Sequence, residues 1–308
     1  MYHKSVLLKE SIDNLKIKKN GIYVDATLGY AGHSSEILKR IPDGYLYGID
    51  QDDFAISKSK ERLSQISDNY EIIRNNFKYM KEELLKRGID RVDGILFDLG
   101  VSSVQLDDSE RGFSFHKDAK LDMRMDTSSN FSAYDVVNSY DYKELVRVIK
   151  EYGEEKYASS IAKNICKYRE KKNIETTLEL VDIIKLSMPY KAMRDTHPAR
   201  RTFQAIRIEV NHELDVLKIA LKDALDLLNV GGRLCVISFQ SLEDKIVKKM
   251  FLEYSSVSDE LKKLPYIPDE YKPKYRIVGK SITASDDELK DNHRAHSARL
   301  RVIERVCE

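Results

Sequence analysis

The 308 residues specify an α/β fold: a mostly parallel sheet covered by helices on both faces and interrupted by an all-helical insertion. Three observations carry this expectation. From Gly21 to Phe97, short β-rich runs alternate three times with longer charged amphipathic stretches and close on a fourth β-rich run, as parallel strands joined by helical crossovers require. After Gly100 the rhythm stops, and roughly a hundred residues of helical pattern follow. It then resumes as helix and strand, ending on the alternating run RLRVIERV from Arg299.

In order, GIYVDAT reads as the first strand and SSEILKRI as its helix. YLYGID is followed by FAISKSKERLSQI, YEIIR by KYMKEELLKRG, and VDGILFD is apolar almost throughout, as a central parallel strand should be. The insertion holds the helical patterns YDYKELVRVIKEYG, EKYASSIAKNICKYREK and TLELVDIIKLSM, the last ending at Pro189. The helix ELDVLKIALKDALDLL then sets Leu214, Leu217, Leu221, Leu225 and Leu228 on one face. Gly231 and Gly232 are expected to stop it before the strand RLCVISF. A helix from Leu242 to about Tyr254, a surface loop LPYIPDEYKPKY and a last, antiparallel strand complete the chain. The expected domains are 1–106 with 207–308 for the sheet, and 107–206 for an inserted helical, substrate-recognising part.

With 52 basic and 51 acidic residues the net charge is +1, which excludes a uniform field of the kind that coats nucleic acid; any polyanion site must be a local patch. No stretch approaches the ~20 apolar residues that span a bilayer. The opening MYHKSVLLKE lacks a signal core, so a cytoplasmic protein without membrane contact is expected. Cys166, Cys235 and Cys307 are far apart and show no metal spacing, so neither disulfide nor zinc is expected; Cys235 reads as a buried thiol.

Ligands of open parallel sheets lie beyond the carboxyl ends of the strands, and four motifs fall there. In DATLGYAGHS, Gly29 and Gly32 allow close backbone approach ahead of a helix start. Asp50, closing YLYGID, can accept hydrogen bonds from a ribose diol. The three-glycine turn of dinucleotide folds is missing, and Asp25 suits an ammonium and a sulfonium better than phosphates, which favours S-adenosylmethionine over NAD. Phe77, in Asn75-Asn76-Phe77, either stacks on adenine or is a core ring behind a helix cap. DLGVSSVQLDD, Asp98 to Asp108, is polar directly after the central strand. Two basic clusters suggest RNA contact: Arg194, His197, Arg200, Arg201 and Arg207 with Phe203, and His293, Arg294, His296, Arg299, Arg301 and Arg305. Arg301 and Arg305, on an alternating strand, are expected to pair with acids. DMRMD, Asp122 to Asp126, reads equally as a docking knot or a substrate loop.

The runs HKSVLLKE, DATLGYAGHS, GILFDLGVSSVQLDDSERGFSF, LDMRMD, THPARRTFQAIRIEVNHEL, GGRLCVISFQSLED and HRAHSARLRVIER, in this order over nearly the whole chain, resemble the bacterial 16S rRNA cytosine-N4 methyltransferase family, RsmH or MraW. The resemblance implies a class I S-adenosylmethionine-dependent methyltransferase sheet, Rossmann-like, with an inserted helical domain. It implies methylation of the exocyclic N4 of cytosine 1402 in the decoding region of 16S rRNA. Carried over, the cofactor contacts are Ala31, Gly32 and His33 in the turn, Asp50 at the ribose, Phe77 near adenine, and Asp98 and Gln105 near the methionine end. The implied partner is 16S rRNA or the small ribosomal subunit, with no metal and room for a homodimer. Two positions depart from the family. Ala31 stands where a second glycine is common, tolerable if φ there is negative, and Gln240 stands where SFHSLED has histidine, which argues against an obligate general base at that position.

Methyl transfer to an exocyclic amine needs alignment of nitrogen, methyl and sulfur and an acceptor for the amine protons. Asp98 and Ser102 are the expected catalytic groups, with Ser103 beside them. Arg194, Arg200, Arg201, Arg294 and Arg299 are the expected RNA contacts, and the target base has to leave its stack. Carbon-5 methylation would require a cysteine nucleophile, which no strand end supplies. An NAD-dependent oxidoreductase and a non-catalytic RNA-binding assembly factor are the rival readings.

Overall fold

The computed structural model describes residues 4–100, 111–194, 197–257 and 271–308, together with 261, 266 and 268. The chain divides into two compact units, Met1–Gly100 with Leu214–Glu308, and Val101–Glu213.

The first unit holds a seven-stranded sheet of order β3-β2-β1-β4-β5-β7-β6, formed by β1 (Ile22–Asp25), β2 (Tyr45–Asp50), β3 (Tyr70–Arg74), β4 (Val92–Asp98), β5 (Leu228–Ser238), β6 (Tyr275–Ile277) and β7 (Arg299–Arg305). β1 to β5 run parallel; β7 is antiparallel to both of its neighbours. Helix α1 (Leu8–Leu15) precedes β1, and α2 (Gly32–Leu38), α3 (Asp53–Leu63) and α4 (Met80–Lys86) are the crossovers that the charged amphipathic stretches foretold. The chain builds outward from β1 to β3 and then returns past β1 to β4. The ends of β1 and β4 therefore flank the crevice at which strand order reverses. Leu96 and Phe97 in β4 are fully buried, on opposite faces of the sheet, as the continuous apolar run requires.

The second unit is helical: α5 (Ala133–Ser139), α6 (Tyr142–Glu151), α7 (Ala158–Arg169), α8 (Thr177–Leu186) and α9 (Arg200–Asn211). Ser132 with Asp135, Asp141 with Glu144, and Thr176 with Glu179 form capping boxes that set three of the starts. Leu145, Ile149, Ile161, Ile165, Leu180, Ile184, Phe203 and Ile206 make its core. The unit keeps all of α9, which a limit at 206 would have cut. Glu209 is buried within it but accepts hydrogen bonds from Tyr140 Oη at 2.8 Å and Arg147 Nη2 at 2.9 Å. DMRMD is a knot internal to this unit: Arg124 clasps Asp122 through two bonds of 2.8 and 2.7 Å, and Asn211 receives Met125 N–H and donates to Met123 O. The knot thus ties this loop to α9 within its own unit.

The segment after the insertion departs from expectation at its glycines. The long helix α10 (Glu213–Leu227) passes straight into β5, and Gly231 and Gly232 lie within the strand rather than ahead of it. Register against β4 jumps from Val92↔Leu228 to Gly94↔Arg233, so the glycines form a bulge. Gly231 takes φ +81°, and a Cβ on Gly232 would meet three backbone carbonyl oxygens at 2.9–3.2 Å. The glycines serve strand geometry, and a helix stop was the wrong reading of a glycine pair that a bulge uses equally well. Cys235 is fully buried and its thiol is pushed up to about 12 by that burial, which leaves it inert. None of the described helices is long and apolar enough to cross a membrane.

Candidate active site at the carboxyl edge of the sheet

Three strands of the parallel sheet end on a carboxylate: Asp25 on β1, Asp50 on β2 and Asp98 on β4. Each is tied to the loop that follows β1. Asp25 accepts from Ser34 Oγ at 2.7 Å and from Thr27 N–H at 3.2 Å. Asp50 accepts from Gly29 N–H and from Asp52 N–H, both at 2.9 Å, one on each oxygen. Asp98 donates its backbone N–H to Thr27 Oγ at 2.6 Å, and its carboxylate accepts from Gly100 N–H at 3.2 Å. Burial lifts Asp25 and Asp50 above the usual carboxylate range, because the ionised form loses water that these few donors only partly replace.

Asp50 is held at the end of β2 by two backbone donors. Its oxygens each hold one backbone donor, which fixes the rotamer and leaves a second lone-pair direction on each for a hydroxyl. The acidic edge as a whole suits the ammonium and sulfonium of S-adenosylmethionine.

The turn gives one of its glycines a packing role and overturns the expectation at Ala31. Gly32 opens α2, and a Cβ there would lie 1.8 Å from Ser5 Oγ, so this glycine makes room for the N-terminal segment of the chain. That segment, residues 4–7, crosses the loop. Its Val6 carbonyl faces His33 Nε2 at 3.1 Å, and Leu7 N–H donates to Glu288 of the helix α12 (Asp286–Asp291) at 2.8 Å. Ala31 has φ +55° and ψ 34°, is fully buried, and donates its N–H to Leu28 O at 2.8 Å. The negative φ that would excuse an alanine is absent. Left-handed strain costs about 1–2 kcal/mol. The buried methyl contributes about 0.8 kcal/mol in return, and glycine would bring a further entropic cost of about 0.5–1 kcal/mol. Those opposing terms nearly cancel, which is how alanine persists here.

His33 is buried, so only its backbone can face a ligand; the ring lies between Val6 O and Asp98, whose Oδ2 is 3.8 Å from Nδ1. Phe77 is half-buried and stands edge-on to Phe97, centroids 5.6 Å apart at 88°, behind an Asn76 cap that accepts from Lys78 N–H. The core role is thus the one the structure displays. Ser102 and Gln105, with Ser103, lie outside the described residues. Gln240 caps the helix α11 (Ser241–Tyr254), where Glu243 accepts from the N–H groups of Phe239 and Gln240 at 2.9 and 3.1 Å; its own Oε1 is buried without a hydrogen-bond partner among the described residues. Thr27, Ser34 and Val6 are the contributors that motif reading passed over. A hydroxyl two residues after a strand-end carboxylate was the available signal for Thr27.

The basic clusters separate into bound and exposed members. Arg207 is clasped by Glu213 through bonds of 2.8 and 2.9 Å, Arg301 by Asp244 at 2.6 and 2.9 Å, and Arg305 donates to the carbonyls of Leu228 and Cys307. Arg194, Arg200 and Arg201 are exposed in the helical unit, Arg201 donating to Glu154 O, and Arg294 and Arg299 are exposed in the sheet unit. At the opposite, amino edge of the sheet lies a cavity of about 550 Å³ lined by Lys81, Arg91, Tyr254, Lys274, Tyr275 and Arg305 among others. Lys81 is paired with Asp226, and Arg91 and Arg305 donate to main-chain carbonyls, so most of its cations are committed to the fold.

A sheet of this order with its antiparallel seventh strand, ending on carboxylates either side of the crevice, is that of a class I S-adenosylmethionine-dependent methyltransferase. The model of the MraW methylase family matches residues 1–306, and the chain belongs to that family. It is 55% identical over 308 residues to a protein of Exiguobacterium sibiricum named ribosomal RNA small subunit methyltransferase H, covering 99% of each chain. A protein of the same name from Lactobacillus delbrueckii subsp. bulgaricus is 51% identical over 311 residues, again with 99% of each covered. Among solved structures, an rRNA methylase from Streptococcus thermophilus is a distant likeness, with TM-score 0.46 and 12% identity over 99% of each chain.

Two expected outcomes follow from the turn. Ala31→Gly should change stability in urea unfolding by less than about 1 kcal/mol, since relief of strain is offset by the lost methyl and the added chain entropy. Ala31→Val should lose about 3 kcal/mol, from a β-branched residue at positive φ and from overpacking. Asp50→Ala should weaken S-adenosylmethionine binding in calorimetry by about 1–3 kcal/mol, the range for hydrogen bonds to a charged group; an unchanged affinity would remove Asp50 from the site.

Proposed function

We propose that this chain transfers the methyl group of S-adenosylmethionine to the exocyclic N4 of a cytosine, cytosine 1402, in the decoding region of 16S rRNA. The observation that carries this reading is the family match from residue 1 to residue 306, joined to carboxylates fixed at the ends of β2 and β4. The names of the relatives at 51–55% identity support rRNA of the small subunit as the substrate. The run of motifs from DATLGYAGHS to GFSF supports the N4 amine. Bound at this edge, S-adenosylmethionine supplies an electrophilic methyl group. Asp50 holds the ribose, the backbone from Gly32 to Ser34 lines the donor, and Asp98 faces the amine as an acceptor for its N–H groups. Ser102 and Gln105 remain assigned to this site from their place directly after β4.

RNA contact falls to exposed cations and rings. In the helical unit Arg194 lies 5.7 Å over the ring of Tyr190, which is 75% exposed, and Arg200 and Arg201 open α9. Phe115 stacks on His197 with centroids 4.5 Å apart, with His116 edge-on at 5.0 Å. Burial lowers the His197 pKa, and the neighbouring His116 adds to this. The His197 ring, with its lowered pKa, and its Phe115 partner offer a stacking surface that suits an unstacked base. Arg294 and Arg299 are the corresponding contacts of the sheet unit. A cytoplasmic site of action follows from this substrate.

The deciding experiment incubates the purified chain with labelled S-adenosylmethionine and small subunits from a strain lacking the modification, then maps the label by nucleoside mass analysis. Label on a single N4-methylcytosine is expected; bound cofactor with unlabelled RNA would favour the assembly-factor reading. The Arg200→Ala, Arg201→Ala double variant should weaken subunit binding and reduce the slope of log affinity against log salt by about 0.7–0.9 for each phosphate that is no longer neutralised. A parallel salt dependence would take these two arginines out of the interface.

A further inference from the structure

The imidazole of His33 is buried beneath the turn, and it is a basic group that faces Asp98. Its hydrogen-bond partner on one side is the Val6 carbonyl, 3.1 Å from Nε2. A carbonyl only accepts, so Nε2 carries the hydrogen, and in the neutral ring Nδ1 presents a lone pair. That lone pair points at Asp98 Oδ2 across 3.8 Å. Two acceptors face each other with no proton between them, a repulsive arrangement that one added proton turns into an ion pair. Asp98 is one-fifth exposed and His33 one-twentieth, so a proton arriving from the ligand side reaches Asp98 first.

We propose that His33, acting through Asp98, is the acceptor of the proton that the target amine sheds on methylation. The inference rests on the reading of the chain as an amino methyltransferase. The amine nitrogen forms the bond to the methyl carbon, and the electron pair of the breaking carbon–sulfur bond stays on sulfur. One N4 proton passes to Asp98 Oδ2 and from there to His33 Nδ1, leaving Asp98 ionised and the imidazole cationic. Charge balances within the pocket: one positive charge disappears from sulfur and one appears on His33, so no net charge is buried or released in the step. The charged groups facing the ring are Asp25 from β1, Asp98 from β4 and Glu288 from α12, all acidic, with the Val6 carbonyl on Nε2. Burial holds the ring below its ordinary value, which keeps it neutral and receptive near pH 7 until the donor's positive charge has gone. The Ser34 hydroxyl, bonded to Asp25, keeps that carboxylate turned under the same helix start.

Two measurements on the full chain test this. In cofactor-free protein labelled with ¹⁵N-histidine, His33 should show the Nε2–H tautomer, be neutral at pH 7, and titrate at still lower pH once Asp98→Asn removes the facing charge. An Nδ1–H tautomer, or a titration indifferent to Asp98→Asn, would overturn the relay. His33→Gln retains an N–H for Val6 O but cannot take a proton. With saturating cofactor and small subunits its single-turnover rate should fall about 10²-fold and lose the acid limb that wild type shows as the ring becomes protonated. Its cofactor affinity should be unchanged. A rate equal to wild type would equally end the proposal. Should this variant not fold, the tautomer and titration decide alone. A wild-type chain that methylates no cytosine amine would instead sink the functional reading, and the spectroscopic result would still report on the proton path.

Discussion

The loop after β1 depends on carboxylates that it did not contribute. Gly29 is held by Asp50 from β2, and Thr27 receives the backbone N–H of Asp98 from β4, while Asp25 turns back to Ser34 at the start of α2. The bonds to Asp50 and Asp25 replace water that these carboxylates lose on burial, whereas Asp98 binds the loop through its main chain, and a buried carboxylate left with a single donor would be expected to protonate. The turn therefore has one conformation because three strands of the sheet each require a bond from it. This coupling also explains why the site needs little contribution from exposed side chains: the sheet fixes the carboxylates, the carboxylates fix the loop, and the loop fixes the helix that follows.

Much of this was written in local pattern. The alternation from Gly21 to Phe97 gave four parallel strands and three crossover helices in the order observed, since period and length differ enough between strand and helix to be read without tertiary information. That Asp50 closes the second strand was legible because the apolar run YLYGI stops at it. That Arg301 pairs with an acid was legible from strand alternation, though not that the acid is Asp244. Burial opposes ionisation of Asp244, but the two arginine bonds outweigh it and hold the carboxyl below its ordinary range.

What escaped is what depends on residues distant in sequence. Nothing near Gly32 announces that Ser5 will occupy the space of its absent side chain, so the packing reason for this glycine was not legible beside its expected place at the ligand. Gly231 and Gly232 looked like a helix stop because a bulge is defined by the partner strand, here the step from Val92 to Gly94, and not by the glycines themselves. Arg207 appeared available to RNA because Glu213, its partner six residues on, lies beyond the helix end at His212, where sequence spacing no longer predicts side-chain neighbours. The N-terminal run HKSVLLKE entered only through family resemblance. Its physical reason is the strap that residues 4–7 make over the turn, a role with no local signature.

The same strap bears on how the site is kept dry. Val6 O and Glu288 take up the His33 ring and the Leu7 N–H, so the underside of the turn is closed by side chains and main chain rather than by water. A dry underside strengthens every electrostatic contact above it. It also raises the cost of leaving charge uncompensated, which is why burial moves Asp25, His33 and Asp50 all toward their neutral forms. A cationic ligand at this edge favours the ionised carboxylates, and its attraction to them contributes to binding. An anionic or neutral ligand would gain nothing comparable. The preference for a positively charged donor thus follows from how little water the fold leaves beneath the turn, as much as from the carboxylates that face it.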